Sequence, residues 1–343
     1  MTITMFTTLI VFAIFLAVIS LLYSAATDLG LSANATLAGS FLLAGIFVLI
    51  QFLISPWIVK VSTGLKYLQP GENPWLENTV RNLVVKAKVP MPKLARVPNP
   101  TPNAFVFGNS TNNMTLAVHD GLLQRLNEDE VAGVLAHEIG HIKHKDSIIM
   151  TVLSALPLIA YIIARSTLSM QVYGGSGRRG KNEGGAGLIV VAGVIALVVY
   201  FVSQLLVLSL SRKREHFADA FSAYLTGSPR WLQSALTKIT YGLSLSPDDP
   251  DGARALYIGD PALAKAEIKL VMENASAYDL NRDGVLDARE LQHAMEQEAR
   301  SRWKSVNESF STHPPTFKRI LLLAQIQREL ESSGGIANPY QFI

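Results

Sequence analysis

Residues 127–145 read NEDEVAGVLAHEIGHIKHK, and this stretch decides what kind of protein the chain makes. Asn127 with Glu130 three residues on is a capping-box signature, and Glu128 and Asp129 suit the positive end of a helix dipole. Val131, Val134, Leu135, Ile139 and Ile142 then recur at helical spacing. On that helix His137 and His141 are four residues apart, so both imidazoles leave one face and can share a metal ion. Glu138 sits between them, one residue round, where its carboxylate can reach water on that metal. The pattern is two zinc ligands and a general base. A packed core helix with two satisfied histidines is the competing account, but packing gives little reason for a glutamate between histidines at this spacing.

A hydrolytic zinc site needs a third protein ligand and an open position. His144 shares the face, but seven residues put it about 10 Å of rise from His137, too far for one tetrahedral ion. Downstream, SRKREHFAD (residues 211–219) sets Glu215 and Asp219 four apart on a predicted helix. One would be a ligand, the other an acceptor for the free ring N–H of a zinc histidine. On spacing alone, a solvated charged face accounts for that pair as well.

His137–His141, Ser211–Asp219, Thr312-His313-Pro314-Pro315 followed by Arg319-Ile320, and Pro102-Asn103-Ala104-Phe105 together resemble the HtpX-type membrane zinc metalloproteases. The likeness runs from the first hydrophobic segment to about residue 325, apart from one insertion. It implies zinc on His137, His141 and Glu215, Glu138 as base, and quality-control cleavage of damaged or misassembled membrane proteins. The family's aromatic residue after the ligand glutamate is His216 here.

Composition points independently to a membrane. Hydrophobic residues make up 49% of the 343, with a mean hydropathy of +0.26. Four stretches, roughly 5–23, 36–55, 147–164 and 188–210, are apolar enough to cross a bilayer. The third is short and contains Pro157, which also suits a re-entrant arm. The first lacks a basic leader, as an uncleaved anchor does. If all four span, Lys60, Lys66, Lys143, Lys145, Arg212, Lys213 and Arg214 share one side, while Arg165, Arg178, Arg179 and Lys181 run against it. The expected product is a multi-pass protein of the plasma (inner) membrane with its zinc domain in the cytoplasm. The absence of cysteine fits a reducing compartment. A net charge of +3 with scattered basic residues makes no case for nucleic acid.

His141 precedes the third stretch by about six residues and Glu215 follows the fourth by about five, so both ligands would lie within about 10 Å of the membrane face. The expected substrates are loops or exposed ends of membrane proteins and unfolded polypeptide. Residues 74–88 read as an amphipathic helix, and Val106–Phe107 with Met114, Leu116 and Val118 as a hairpin. An edge strand there would hold substrate backbone by β-addition, and the resemblance favours Asn103, Ala104 and Phe105. His313 and His216 are both candidates to stabilise the oxyanion.

The insertion carries DLNRDGVLDARE (residues 279–290), which fits an EF-hand loop: Asp279, Asn281, Asp283, the Val285 carbonyl, Asp287 and Glu290 as calcium ligands, Gly284 at the turn. Helical sequence flanks it at about 261–278 and 288–303. Asp248–Gly252 is at most a degenerate partner, so the hand would pair across subunits of a homo-oligomer or pack on the protease itself. Gly174–Gly187 reads as a flexible linker.

The expected fold is mainly α: multi-pass membrane helices plus a thermolysin-like (gluzincin) zinc protease domain with a small β-sheet. Residues 1–58 hold two membrane helices and 59–146 the first part of the protease with its His-Glu-x-x-His helix. Residues 147–210 hold the third and fourth hydrophobic segments, and 211–343 the remainder, with the insertion at about 261–303. The rival reading is a non-catalytic membrane calcium sensor on a degenerate protease scaffold. Intact His137, Glu138, His141 and Glu215 speak against it.

Overall fold

The computed structural model describes residues 33–174, 183–245, 256–284, 286–300, 311–333, 338, 340, 341 and 343. The stretch 5–23, most of the glycine-rich linker, Asp248–Gly252 and Val285 lie outside the described residues.

The elements run α1 (Ala33–Thr63), β1 (Lys66–Tyr67), α2 (Pro74–Ala87), β2 (Lys93–Val97), β3 (Ala104–Gly108), β4 (Met114–His119), α3 (Asp120–Arg125), α4 (Glu128–His144), α5 (Asp146–Gly174), α6 (Glu183–Thr226), α7 (Pro229–Ser244), α8 (Pro261–Glu273), α9 (Ala275–Tyr278), α10 (Ala288–Arg300) and α11 (Thr316–Ser333). The four strands are ordered β1-β2-β4-β3. β2 pairs parallel to β4, and β3 pairs antiparallel to it from Ala104↔Val118 to Gly108↔Met114. The expected hairpin is therefore present, and β3 is an edge.

α4 forms as its sequence dictates. The Asn127 side chain accepts from the Glu130 amide and the Glu130 carboxylate accepts from the Asn127 amide, both at 2.9 Å. Its apolar residues Val131, Val134, Leu135 and Ile139 sit in the main core with Val80 and Leu83 of α2, Phe221 of α6, Leu232 and Leu236 of α7 and Leu323 of α11. Gly140 permits the close approach of α6: a Cβ there would stand 3.1 Å from the Ala218 Cα.

α6 is a single helix of 44 residues that carries the fourth apolar stretch and the Glu215–Asp219 segment. Among the described residues its part Gly193–Thr226 alone is long and apolar enough to cross a membrane. α1 and α5 cover the second and third stretches as continuous helices, and α5 runs through Pro157 rather than turning back. Large apolar side chains stand exposed along α1 (Leu42, Leu49, Leu53, Trp57) and α6 (Val198, Phe201, Leu206), as surfaces meant for lipid would.

The insertion departs from expectation at one point. The predicted helix 261–278 breaks at Asn274 (φ −112°, ψ 16°), which caps α8 and leaves α9 as a single turn. The insertion packs on α11: Ile268 and Val271 of α8 and Leu291, Ala294 and Met295 of α10 share a core cluster with Phe317 and Ile320 of that helix. Leu286, the residue an EF-hand would offer a partner loop, packs against this same cluster.

Glu267 of α8 is wholly buried at the start of α11, where its carboxylate accepts from the Phe317 amide at 3.2 Å. Burial pushes its pKa from the ordinary 4.5 to about 7, against the hydrogen bonds from Phe317 and Thr316. Between those values the unfolded chain loses its proton first, so stability falls as pH rises through that window and is level above it. Glu267→Gln should therefore raise the apparent melting temperature at pH 8, by the equivalent of roughly 3 kcal/mol at most, and change it little near pH 4.5. Melting curves of both proteins across that range check this; an equal shift at every pH would contradict it.

Candidate metal centre and active-site cleft

α4 and α6 cross where Gly140 meets Ala218, and this crossing assembles the site. The Nε2 atoms of His137 and His141 lie 3.1 Å apart. Glu215 places Oε2 3.5 Å from His137 Nε2 and Oε1 3.5 Å from His141 Nε2. The other ring nitrogens are occupied: His137 Nδ1 lies 2.9 Å from Asp219 Oδ1, and His141 Nδ1 lies 2.6 Å from Asp146 Oδ2. Both carboxylates accept a ring N–H, which fixes the tautomers so that each Nε2 carries a lone pair into the centre.

Three electron-pair donors thus face one another, and Glu215 Oε2 is buried with no hydrogen-bond partner. Arg319 already brings one positive charge to its edge, Nη1 3.5 Å from Glu215 Oε2 and Nη2 3.4 Å from His137 Nε2, and a metal ion among the three donors would complete the neutralisation. Donor separations of 3.1–3.5 Å match the edges, about 3.3 Å, of a tetrahedron with zinc–nitrogen and zinc–oxygen bonds near 2.0–2.1 Å. Charge agrees. The four carboxylates Glu138, Glu215, Asp219 and Asp146 exceed the two guanidiniums, Arg319 on Asp219 and Arg214 on Asp146, by two negative charges. Burial opposes protonation of His141, yet Glu215, Asp146 and Glu138 outweigh it and hold the ring up to about 9. The residues present fit a divalent metal.

Glu138 offers a carboxylate oxygen within 4.8 Å of the histidine nitrogens, and burial pushes its pKa above the usual range. An elevated carboxyl suits a general base, although a bound dication would pull it back down. His313 lines the same cleft, with Nδ1 2.9 Å from Thr312 Oγ1 and Nε2 3.8 Å from Glu215 Oε1. His216 does not line the cleft, so only one of the two oxyanion candidates faces it. His144 is turned away, its Nε2 2.8 Å from the Tyr340 hydroxyl.

The cleft, about 450 Å³, lies between His137, Glu138, His141 and Glu215, β3, Tyr257 and the inner faces of α1, α5 and α6. Ala104 and Phe105 line it, and the Phe105 side chain packs into the core with Phe107, Leu65 and Val97. Asn103 prolongs the pairing of β3 with β4, its carbonyl accepting from the His119 amide at 2.9 Å. It precedes β3, and its amide is committed to the 256–258 segment, donating to the Leu256 carbonyl at 2.9 Å and accepting from the Ile258 amide at 3.0 Å. It builds the wall of the cleft.

Sequence reasoning missed Asp146, Arg214 and the task of Arg319. Asp146 lies five residues beyond His141, off its helical face, and reaches it only because Lys145 turns the chain in the left-handed region (φ 58°). Arg214 pairs with Asp146 and donates to the His144 carbonyl at 2.6 Å. Arg319 clamps Asp219 from Nη2 and Nε at 2.7 and 2.9 Å and also donates to the Ile258 carbonyl.

The 279–290 loop stands differently. Its carboxylates accept the loop's own amides: Asp279 from Asp283 and Gly284, Glu290 from Leu280, Asn281 and Asp287. Among the described residues the group of histidines and acids close enough to hold a metal is His137, Glu138 and His141.

Comparison with known proteins agrees with the geometry. The family model "Peptidase family M48" matches residues 70–327. The "Protease HtpX homolog" of Aeropyrum pernix is 33% identical over 307 residues, 90% of this chain and 91% of that protein. The one from Methanothermobacter thermautotrophicus is 39% identical over 197 residues, 57% of this chain and 71% of that protein. "Protease HtpX homolog 2" of Methanosarcina mazei is 32% identical over 293 residues, 84% and 85% of the two chains. Among solved structures, Ste24p of S. mikatae shares the fold at a TM-score of 0.50 and 16% identity, over 94% of this chain and 67% of that one. The chain belongs to peptidase family M48, as an HtpX-type metalloprotease.

Proposed function

We propose that this chain is a multi-pass membrane zinc endopeptidase that cleaves misfolded or misassembled membrane proteins at the cytoplasmic face of the plasma (inner) membrane. The observation that carries this reading is the convergence of His137, His141 and Glu215 beside Glu138, at the inner end of a cleft edged by β3. Zinc held by those three side chains would polarise the scissile carbonyl and acidify a water molecule toward neutral pH. Glu138 takes the water's proton and delivers it to the leaving amine. The free edge of β3 pairs with extended substrate backbone. His313, its Nδ1 engaged by Thr312, turns Nε2 toward the charge developing on the carbonyl oxygen. Asp219 and Asp146 hold the two imidazoles in register. The apolar faces of α1 and α6 support seating in a lipid bilayer.

Calcium in the 279–290 loop, stabilising the protease through α8, α10 and α11, is part of the same reading. It is supported by the residue pattern, the Gly284 turn at φ 85° and the packing of the insertion on α11. Calcium titration of the melting temperature tests it, and an unchanged value would remove it.

Chelation tests the main claim. Purified protein should carry one zinc per chain, lose cleavage of an unfolded reporter by at least about a hundred-fold when stripped, and regain it with zinc. Full turnover by metal-free protein would overturn the reading. Calcium without stoichiometric zinc, and no cleavage, would instead favour the sensor.

A further inference from the structure

The cleft does not stop at the metal centre. On α5 it is lined by Ser147, Thr151 and Ser154, on α6 by Gln204 and Ser211, and on α1 by Ser55. Spacings of four and three on α5, and of seven and four from Gln204 through Ser211 to Glu215 on α6, put each set on one helical face. Eleven residues of α6 separate Gln204 from Glu215, about 16 Å of rise, and eight of α5 separate Asp146 from Ser154, about 12 Å. A row of polar side chains, interleaved with Met150, Val207 and Leu208, therefore leads from His137, His141 and Glu215 into the apolar part of the molecule. Other parts of the same helices expose Val152, Val202 and Leu206. Hydroxyl and carboxamide groups turned inward on helices with apolar outer faces are what helices bordering a polar path within lipid carry.

We infer that this stripe is a track for the extended, bilayer-emerging segment of a membrane-protein substrate. The inference rests on the zinc-endopeptidase reading and adds how the substrate reaches the site. An extended peptide leaves backbone N–H and C=O groups open on both edges, which is costly away from water. β3 can pair with one edge beside the metal centre, but among the described residues no strand lies beyond it. The lining side chains supply what is missing. Thr151 Oγ1 donates to the Ser147 carbonyl at 2.7 Å, Ser154 Oγ to the Thr151 carbonyl at 3.0 Å and Ser55 Oγ to the Phe52 carbonyl at 3.3 Å. Each hydroxyl has used its proton within its own helix, so it presents acceptor lone pairs to the cleft, suited to peptide N–H. The Gln204 carboxamide adds a donor for peptide C=O. Polar residues between apolar helices otherwise serve as glue, bonding from helix to helix. Among the described residues none of these four side chains hydrogen-bonds to a neighbouring helix.

The test uses the full chain in proteoliposomes and two reporters with one cleavage sequence. One reporter is soluble and unfolded; in the other, the sequence lies next to a single membrane-spanning segment. Gln204→Met and Thr151→Val with Ser154→Ala change polarity at nearly constant shape. Each is expected to lower the ratio of tethered to soluble cleavage by about ten-fold, the loss of one or two hydrogen bonds. An unchanged ratio overturns the track. So does equal slowing on both reporters, which would assign the residues to helix packing or a bound lipid. If wild type cleaves neither reporter, the endopeptidase reading falls and takes this inference with it.

Discussion

Replacing Glu138 by glutamine is expected to abolish proteolysis while leaving the metal centre assembled. Glutamine keeps the shape of a side chain that is 3% exposed, so packing around α4 has no reason to change. It removes the one carboxylate at the centre that is neither a proposed ligand nor tied to a guanidinium or a ring N–H. The donors His137, His141 and Glu215 are untouched, as are the carboxylates behind the rings. Metal content should stay at one per chain. Turnover should fall about 10³-fold, the middle of the range for removing a positioned general base. Burial already holds the Glu138 carboxyl above its usual pKa, so exchange for a neutral amide should not lower the melting temperature. Cleavage of an unfolded reporter, metal analysis and a melting curve on the same preparation separate these effects. Near-normal turnover would remove Glu138 from its role, and lost metal would mean that the carboxylate helps hold the site together.

The parts of this arrangement legible in the sequence are those written within one helix or one hairpin. The capping box at Asn127, the apolar spacing of α4 and the four-residue step from His137 to His141 are local, and each stands where its pattern puts it. Glu215 and Asp219 share a face of α6, and that spacing was readable; that α6 is the helix crossing α4 at Gly140 was not. Asp146 was hidden because its approach to His141 depends on a left-handed residue at Lys145, a position whose side chain gives no warning of it. The side-chain bonds of Asn103 to Leu256 and Ile258 join residues more than 150 apart in sequence, beyond the reach of any local pattern. The choice between His313 and His216 had the same origin. One faces the cleft and the other does not, and only the packing of α11 and α6 decides which. The loop of the insertion matches a calcium pattern residue by residue, and its acids accept the loop's own amides, a hydrogen-bonding option that Asp and Asn always have.

Arg319→Met should be the most destabilising single change near the site. The guanidinium is 1% exposed and makes a two-point contact with Asp219, itself fully buried, besides donating to the Ile258 carbonyl. Methionine fills much of the volume but leaves the Asp219 charge without its counter-ion, a loss of about 3–5 kcal/mol for a buried pair broken on one side. The same change frees Asp219 to swing from His137 Nδ1, so metal affinity should fall about 10- to 100-fold. Added zinc should then recover part of the lost melting temperature, since a ligand that binds only the folded state stabilises it by mass action. The double variant Asp219→Asn with Arg319→Met separates charge from packing. If an unpaired buried carboxylate causes the damage, removing it should make the double variant more stable than Arg319→Met alone, with strongly non-additive losses. Additive losses would mean that Arg319 acts through Glu215, 3.5 Å from its Nη1, the Ile258 carbonyl and core packing instead, and the link from α11 through Asp219 to His137 would then have no energetic weight.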